Sequence, residues 1–110
     1  MQIKKQIIDE KYCTKFVALD SGREVGRAFV YFIYNDLHKE PYALLEDVFV
    51  DEKYRQKGLG RELVEKVIKE AKNKKCYKII GNSRKSRDSV HKFYEKIGFE
   101  NYGVEFRINL

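Results

Sequence analysis

The sequence predicts an α/β protein, a single domain over residues 1–110 with a mixed, mostly antiparallel sheet, a central βαβ unit and two main helices. Three observations predict it. Strand-like apolar runs separated by short turns fill the chain up to Val50, the apolar period changes from strand to helix at Leu59, and a short apolar run, "CYKIIG", stands between two helical segments. A chain of 110 residues can enclose one core and leaves no room for a second domain.

In chain order, "QIKKQII" is an additional edge strand. "CTKFVALD" (13–20), the turn "SGRE" and "VGRAFVYFIY" (25–34) are two strands joined by a glycine-containing turn. The second of them is apolar at both parities, through Phe29, Tyr31 and Ile33 and also Val30, Phe32 and Tyr34, which predicts a strand covered on both faces. "NDLHKEP" turns the chain into the strand "YALLEDVFV" (42–50). From Leu59, the apolar residues Leu59, Leu63, Val64, Val67, Ile68 and Ala71 recur at helical spacing, with Glu62–Lys66 and Glu65–Lys69 as i,i+4 pairs on the wet face, and the helix ends near "KNKK". "CYKIIG" (76–81) is a short strand. "SRDSVHKFYEKIG" is a second helix, with Val90, Phe93 and Ile97 on its apolar side and Gly98 as its stop. The closing "YGVEFRINL" reads as a last strand.

A hydrophobic share of 43% and an aromatic share of 14% fit a packed globular protein. The longest apolar runs fall short of the roughly 18 residues of a membrane span, and the start of the chain has no apolar core of signal-peptide length. A cytoplasmic location and no membrane partner are expected. Cys13 and Cys76 are isolated, with no CxxC and no His at ligand spacing, so reduced thiols and no metal are expected. The net charge of +6 favours an anionic partner: nucleic acid, a membrane surface or a phosphorylated cofactor. No clustered basic helix or aromatic platform speaks for nucleic acid.

One stretch narrows the choice. "DEKYRQKGLGRELVEKVIKEA" (51–71) places Arg55, Lys57 and Arg61 around Gly58 and Gly60 where a helix starts. A helix start leaves about four backbone N–H groups without partners and carries roughly half a positive charge, so it binds anions. Glycines allow the backbone to approach a phosphate closely. A basic, solvated strand-to-helix loop is the alternative. The nucleotide-triphosphate loop is excluded because Gly60 is followed by Arg61-Glu62, and the dinucleotide fingerprint because Leu63 stands where a third glycine belongs.

"VFVDEKYRQKGLGRELVEKVIKEA" resembles the acetyl-CoA-binding motif of the GCN5-related N-acetyltransferases, whose Arg/Gln-x-x-Gly-x-Gly/Ala pattern is matched by Arg55, Gly58 and Gly60. "RDSVHKFYEKIGFENYGVEFR" resembles the second half of that family's domain, with Phe93-Tyr94 followed by Gly98-Phe99. The resemblance covers about residues 25 to 110, and the two stretches stand in the family's order. It implies acetyl-CoA as co-substrate, with the backbone amides of Gln56, Lys57, Gly58, Leu59, Gly60 and Arg61 on the pyrophosphate. It further implies that the backbone of Val48, Phe49 and Val50 pairs with the pantetheine arm, and that the strand 76–81 splays away to admit the thioester. Arg84, Lys85 and Arg87 are candidates for the 3′-phosphate end, a solvated basic face being the alternative for the first two.

The implied reaction moves an acetyl group from a thioester to a primary amine, small or peptidic, by direct attack in a ternary complex. A lysine-like amine, pKa about 10.4, must first lose a proton at a cost of about 4 to 5 kcal/mol at pH 7. Glu46 is the first candidate to receive it, because strand alternation puts it on one face with Val48 and Val50 and because similar amine acetyltransferases carry an acid there; Asp47 is the second. Tyr94 stands where the family often has the tyrosine that protonates the departing thiolate. By spacing, Arg87, His91 and Tyr94 share a face distinct from Val90, Phe93 and Ile97; His91 either tunes Tyr94 or is exposed, and exposure is the reading adopted. Core packing is the alternative for Tyr94, and an ordinary edge-of-sheet carboxylate the alternative for Glu46.

Two departures stand out. Most members have two helices between the first and second strands, and "DEKYCT" (9–14) cannot contain them; Arg87 occupies the place of an asparagine many members carry seven residues before the tyrosine. The missing wall leaves a sheet edge and apolar surface less well covered, which predicts a homodimer. The alternative function is a non-catalytic acyl-CoA-binding or basic nucleic-acid-associated module.

Overall fold

The computed structural model describes all 110 residues and has the element order β1 (Gln2–Asp9), β2 (Cys13–Asp20), β3 (Arg23–Ile33), β4 (Tyr42–Val50), α1 (Leu59–Asn73), β5 (Ile79–Gly81) and α2 (Asp88–Ile97). The sheet order is β1-β2-β3-β4-β5; the first four strands are antiparallel neighbours and β5 lies parallel to β4 across the α1 crossover. No helix is long and apolar enough to cross a membrane. The fold is the mixed α/β arrangement that the sequence predicts, edge strand included.

The core lies between one sheet face and α1. Ala28 and Val30 of β3, Ala43 of β4 and Leu63, Val64 and Val67 of α1 are fully enclosed. Removing Leu63 down to alanine would cost about 2 to 5 kcal/mol, since a packed interior closes a cavity only partly. Close approach of α1 depends on Gly26, where a Cβ would stand 3.2 Å from a Leu63 methyl and 3.3 Å from the Phe49 carbonyl oxygen. At the far side of α1 the buried Glu70 carboxylate is met by Lys5 Nζ of β1 at 2.8 Å.

Three expectations are corrected. β3 is covered on one face only: Ala28, Val30 and Phe32 face α1, whereas Tyr31 remains 37% exposed on the opposite side, because residues 10–12 are a bare hairpin turn and nothing else crosses that face. Lysine and arginine side chains of the face lie over its aromatics instead, Lys15 over Phe29 at 5.4 Å and Arg27 over Phe49 at 4.9 Å. On α1 the i,i+4 ion pair is Arg61–Glu65, at 3.6 Å, rather than Glu62–Lys66 or Glu65–Lys69; Arg61 reaches Glu65 first. Finally, residues 101–110 form no strand, since no neighbouring strand accepts their backbone.

Candidate active site

β4 and β5 pair only from Ala43↔Ile79 to Leu45↔Gly81. Beyond that point they part, and a cleft of about 860 Å³ opens between the end of β4, the loop before α1 and the inner side of α2. Its lining brings together Glu46, Asp47, Val48, Phe49, Val50, Arg55, Gln56, Gly58, Gly60, Arg61, Arg87 and Tyr94. Lys57 and Leu59 are not among the lining residues: the ammonium of Lys57 is 6.0 Å from the Tyr54 ring and Leu59 is buried in the core. Asn82, Ser83, Glu105 and Arg107 also line the cleft and were missed from sequence.

A β-bulge shapes the β4 wall. Phe29 is paired with Glu46 and Arg27 with Phe49, so two steps along β3 face three along β4, and Asp47 takes a left-handed backbone, φ 50°. Cross-strand partners share a face. Glu46 and Phe49 therefore stand on the open face with Arg27 and Phe29, while Val48 and Val50 turn toward the helices. The expectation that Glu46 shares a face with Val48 and Val50 is corrected by this extra residue, which reverses the alternation. Glu46 is half-buried and forms no salt bridge.

Tyr94 approaches the same cleft from α2. Its ring packs between Phe93 and Phe99, each 5.3 Å away centre to centre, and lies where a Cβ on Gly81 would stand 3.8 Å from it. Burial pushes its phenol above the ordinary tyrosine value of 10.0, and the Glu46 carboxylate pushes the same way. The hydroxyl is thus a protonated donor at neutral pH. The face expected from spacing is only partly kept, because Val90, Phe93 and Ile97 line the cleft beside Tyr94 and Arg87. His91 is half-buried rather than exposed, with Nε2 2.8 Å from the Arg84 carbonyl oxygen, tying the turn that starts α2.

The loop before α1 carries the remaining feature. Glu62 is the first residue of α1 whose amide bonds back into the turn, to the Gly58 carbonyl at 3.0 Å; the amides of Gln56 to Arg61 donate to no protein acceptor. Gly58 caps the helix with φ 81° and Gln56 has φ 61°, so the chain turns sharply on left-handed backbone just before α1. Arg55 Nε bonds the Val50 carbonyl oxygen at 2.8 Å, fastening the loop to the end of β4. A second tie is the hydrogen bond that the Tyr54 hydroxyl donates to the Asp20 carboxylate. Six N–H groups without a protein acceptor at a helix start are free to take an anion.

A family model described as "Acetyltransferase (GNAT) family" matches residues 2–99. The chain belongs to the GNAT family. A putative acetyltransferase from Agrobacterium tumefaciens str. C58 superposes with a TM-score of 0.84 at 33% identity, over 89% of this chain and 69% of that one. The glucosamine 6-phosphate N-acetyltransferase of Trypanosoma brucei brucei is 41% identical over 66 residues, 60% of this chain and 43% of its own length. The aminoglycoside N(6′)-acetyltransferase type 1 of Salmonella typhimurium is 24% identical over 99 residues, 87% of this chain and 68% of its own length. The match thus spans less than half of the trypanosomal relative's length.

Proposed function

We propose that this GNAT domain transfers an acetyl group from acetyl-CoA to a primary amine by direct attack in a ternary complex. The observation that carries this reading is that the loop of Gln56–Arg61, whose amides have no protein acceptor, contributes Gln56, Gly58, Gly60 and Arg61 to the cleft that Glu46 and Tyr94 also line. Acetyl-CoA supplies a thioester whose acyl carbon accepts a neutral nitrogen. The loop amides and the α1 dipole hold the pyrophosphate, and Arg61 and Arg87 add charge at the two helix starts. Val48 to Val50, which have no β5 partner, offer their backbone to the pantetheine arm.

Glu46 attracts the acceptor's ammonium and takes its proton, directly or through a water, with Asp47 as the second candidate. Tyr94 gives its phenol proton to the departing thiolate. The relatives' names support amino sugars and aminoglycosides as the first acceptors to try, alongside polyamines and peptide N-termini. The chain also pairs with itself, a reading supported by the uncovered aromatic sheet face at Tyr31 and Phe49, 37% and 38% exposed.

Release of free thiol from acetyl-CoA against this acceptor panel tests the proposal. Acceptor-dependent release, lost in Glu46→Gln, is the expected result. Saturable coenzyme binding with no release for any amine would leave a binding module and overturn the transfer reading.

A further inference from the structure

The open face of the sheet carries a layout of charge that acetyl transfer by Glu46 and Tyr94 leaves unused. Cross-strand partners share a face, so the strand registers arrange this face in rows. One row runs Lys4, Val17, Arg27 and Phe49 across β1 to β4, and the next runs Gln6, Lys15, Phe29 and Glu46. Glu46 closes the second row at the cleft, with Asp47 in the bulge beside it, and Arg27 stands in the first row. Val48 and Val50 turn the other way, toward the helices and the coenzyme side. An amine that meets Glu46 therefore lies over this floor.

Two of the nearby cations are already engaged. Lys15 Nζ meets the Glu24 carboxylate at 3.0 Å, and Arg55, 5.7 Å from the Phe49 ring, donates its Nε to the Val50 carbonyl oxygen and lines the cleft. Arg27 is different. Its one ion pair is to the second oxygen of the same Glu24 at 3.8 Å, its side chain is 36% exposed, and its guanidinium lies over the Phe49 ring at 4.9 Å, drawn to the strand that carries Glu46. An exposed pair at that length, sharing its carboxylate with a lysine, stabilises little and exchanges readily. The planar fork of an arginine takes a phosphate or a carboxylate through two parallel hydrogen bonds.

The floor is thus dipolar, with carboxylates at the cleft and a weakly matched guanidinium one row away. A polycationic acceptor would set its second ammonium against Arg27 and the exposed Lys4, a like-charge contact that selects against it. An amine that also bears an anion meets both ends. We infer that the acceptor of this protein carries a phosphate or a carboxylate two strand residues, roughly 7 Å, from the amine it presents to Glu46, and that Arg27 selects it. This rests on the transfer reading and names its substrate class. The Tyr31 end of the face stays open to a second copy.

The test uses the whole chain at saturating acetyl-CoA and acceptors that differ at the far end. Aminohexanoate, hexylamine and hexanediamine form one series, and glucosamine with glucosamine 6-phosphate forms a rigid pair in which the anion is a phosphate. In thiol release, kcat/KM should be about tenfold or more higher for the anionic member than for the neutral member of at least one set, and lowest for the diamine. The set with the larger ratio says whether carboxylate or phosphate is the anion preferred. Arg27→Gln should raise KM for the preferred anionic amine to that of its neutral counterpart while changing its kcat far less. Arg27→Lys should keep part of the preference, and Arg27→Glu should turn it toward the diamine. Lys72→Gln, which removes the same charge at the exposed end of α1, should leave the preference as it is. Release that is equal for anionic and neutral members in both sets, or a preference that survives Arg27→Gln, overturns this inference and leaves acetyl transfer standing. No release from any amine overturns acetyl transfer and this inference with it. Should Arg27→Gln fail to fold, Arg27→Lys and the native ratios decide.

Discussion

Tyr94 illustrates how a single atom separates packing from chemistry. Tyr94→Phe keeps the ring between Phe93 and Phe99 and removes only the hydroxyl, so stability should change by no more than about 1 to 2 kcal/mol and coenzyme affinity should stay near wild type. Turnover should fall by roughly 10² to 10⁴. Because burial and Glu46 both raise the phenol above 10.0, the donor keeps its proton through neutral and mildly alkaline pH. Native turnover should decline only as the pH passes that raised value, and this limb should be absent in the Phe variant. Steady-state kinetics with a melt of the same preparation reads both effects; full activity with a lowered melting temperature would make Tyr94 a packing residue. The two loop glycines differ in an equally testable way. Gly58 needs φ 81° in open space, whereas a Cβ on Gly60 would sit 3.5 Å from Phe93 in ordinary contact. Gly58→Ala should therefore lose about 1 to 2 kcal/mol more than Gly60→Ala in denaturant melts.

Among the elements, the bulge in β4 decides which way the carboxylates point. Asp47 holds φ 50°, which glycine adopts without strain, so Asp47→Gly should raise stability by up to about 1 kcal/mol. If Glu46 is the base, that variant keeps its turnover and Glu46→Gln loses it; the reverse pattern in kinetics would assign the base to Asp47. The bulge was not legible in the sequence because "LLEDVFV" is apolar at both parities around the carboxylates, and one inserted residue leaves no break in such a run. The start and end of α1 were legible, since Gly58 precedes a clear helical period that begins at Leu59 and the apolar stripe stops at Ala71. The last strand was over-read for a physical reason: residues 102–110 alternate as a strand does, but alternation reports a buried side and not who buries it. The place of the loop at the start of α1 was legible from glycine spacing, while Glu105 and Arg107 at the rim of the cleft were not, because their place depends on how the chain leaves α2.

For the whole molecule, a charge of +6 and a cleft edged by Arg55, Arg61, Arg84 and Arg87 should make coenzyme binding fall as salt rises, most steeply below physiological ionic strength. An Arg87→Ala variant should show a shallower dependence. All the chemistry proposed for Glu46 and Tyr94 presupposes that the coenzyme sits in the cleft where β4 and β5 part, with its pyrophosphate on the amides of Gln56–Arg61. Calorimetric titration of acetyl-CoA into the native protein and into a folded Gly60→Trp variant tests this most directly. The account predicts saturable binding by the native protein and its loss in the variant, whose indole would crowd the loop; unchanged affinity in Gly60→Trp would contradict it.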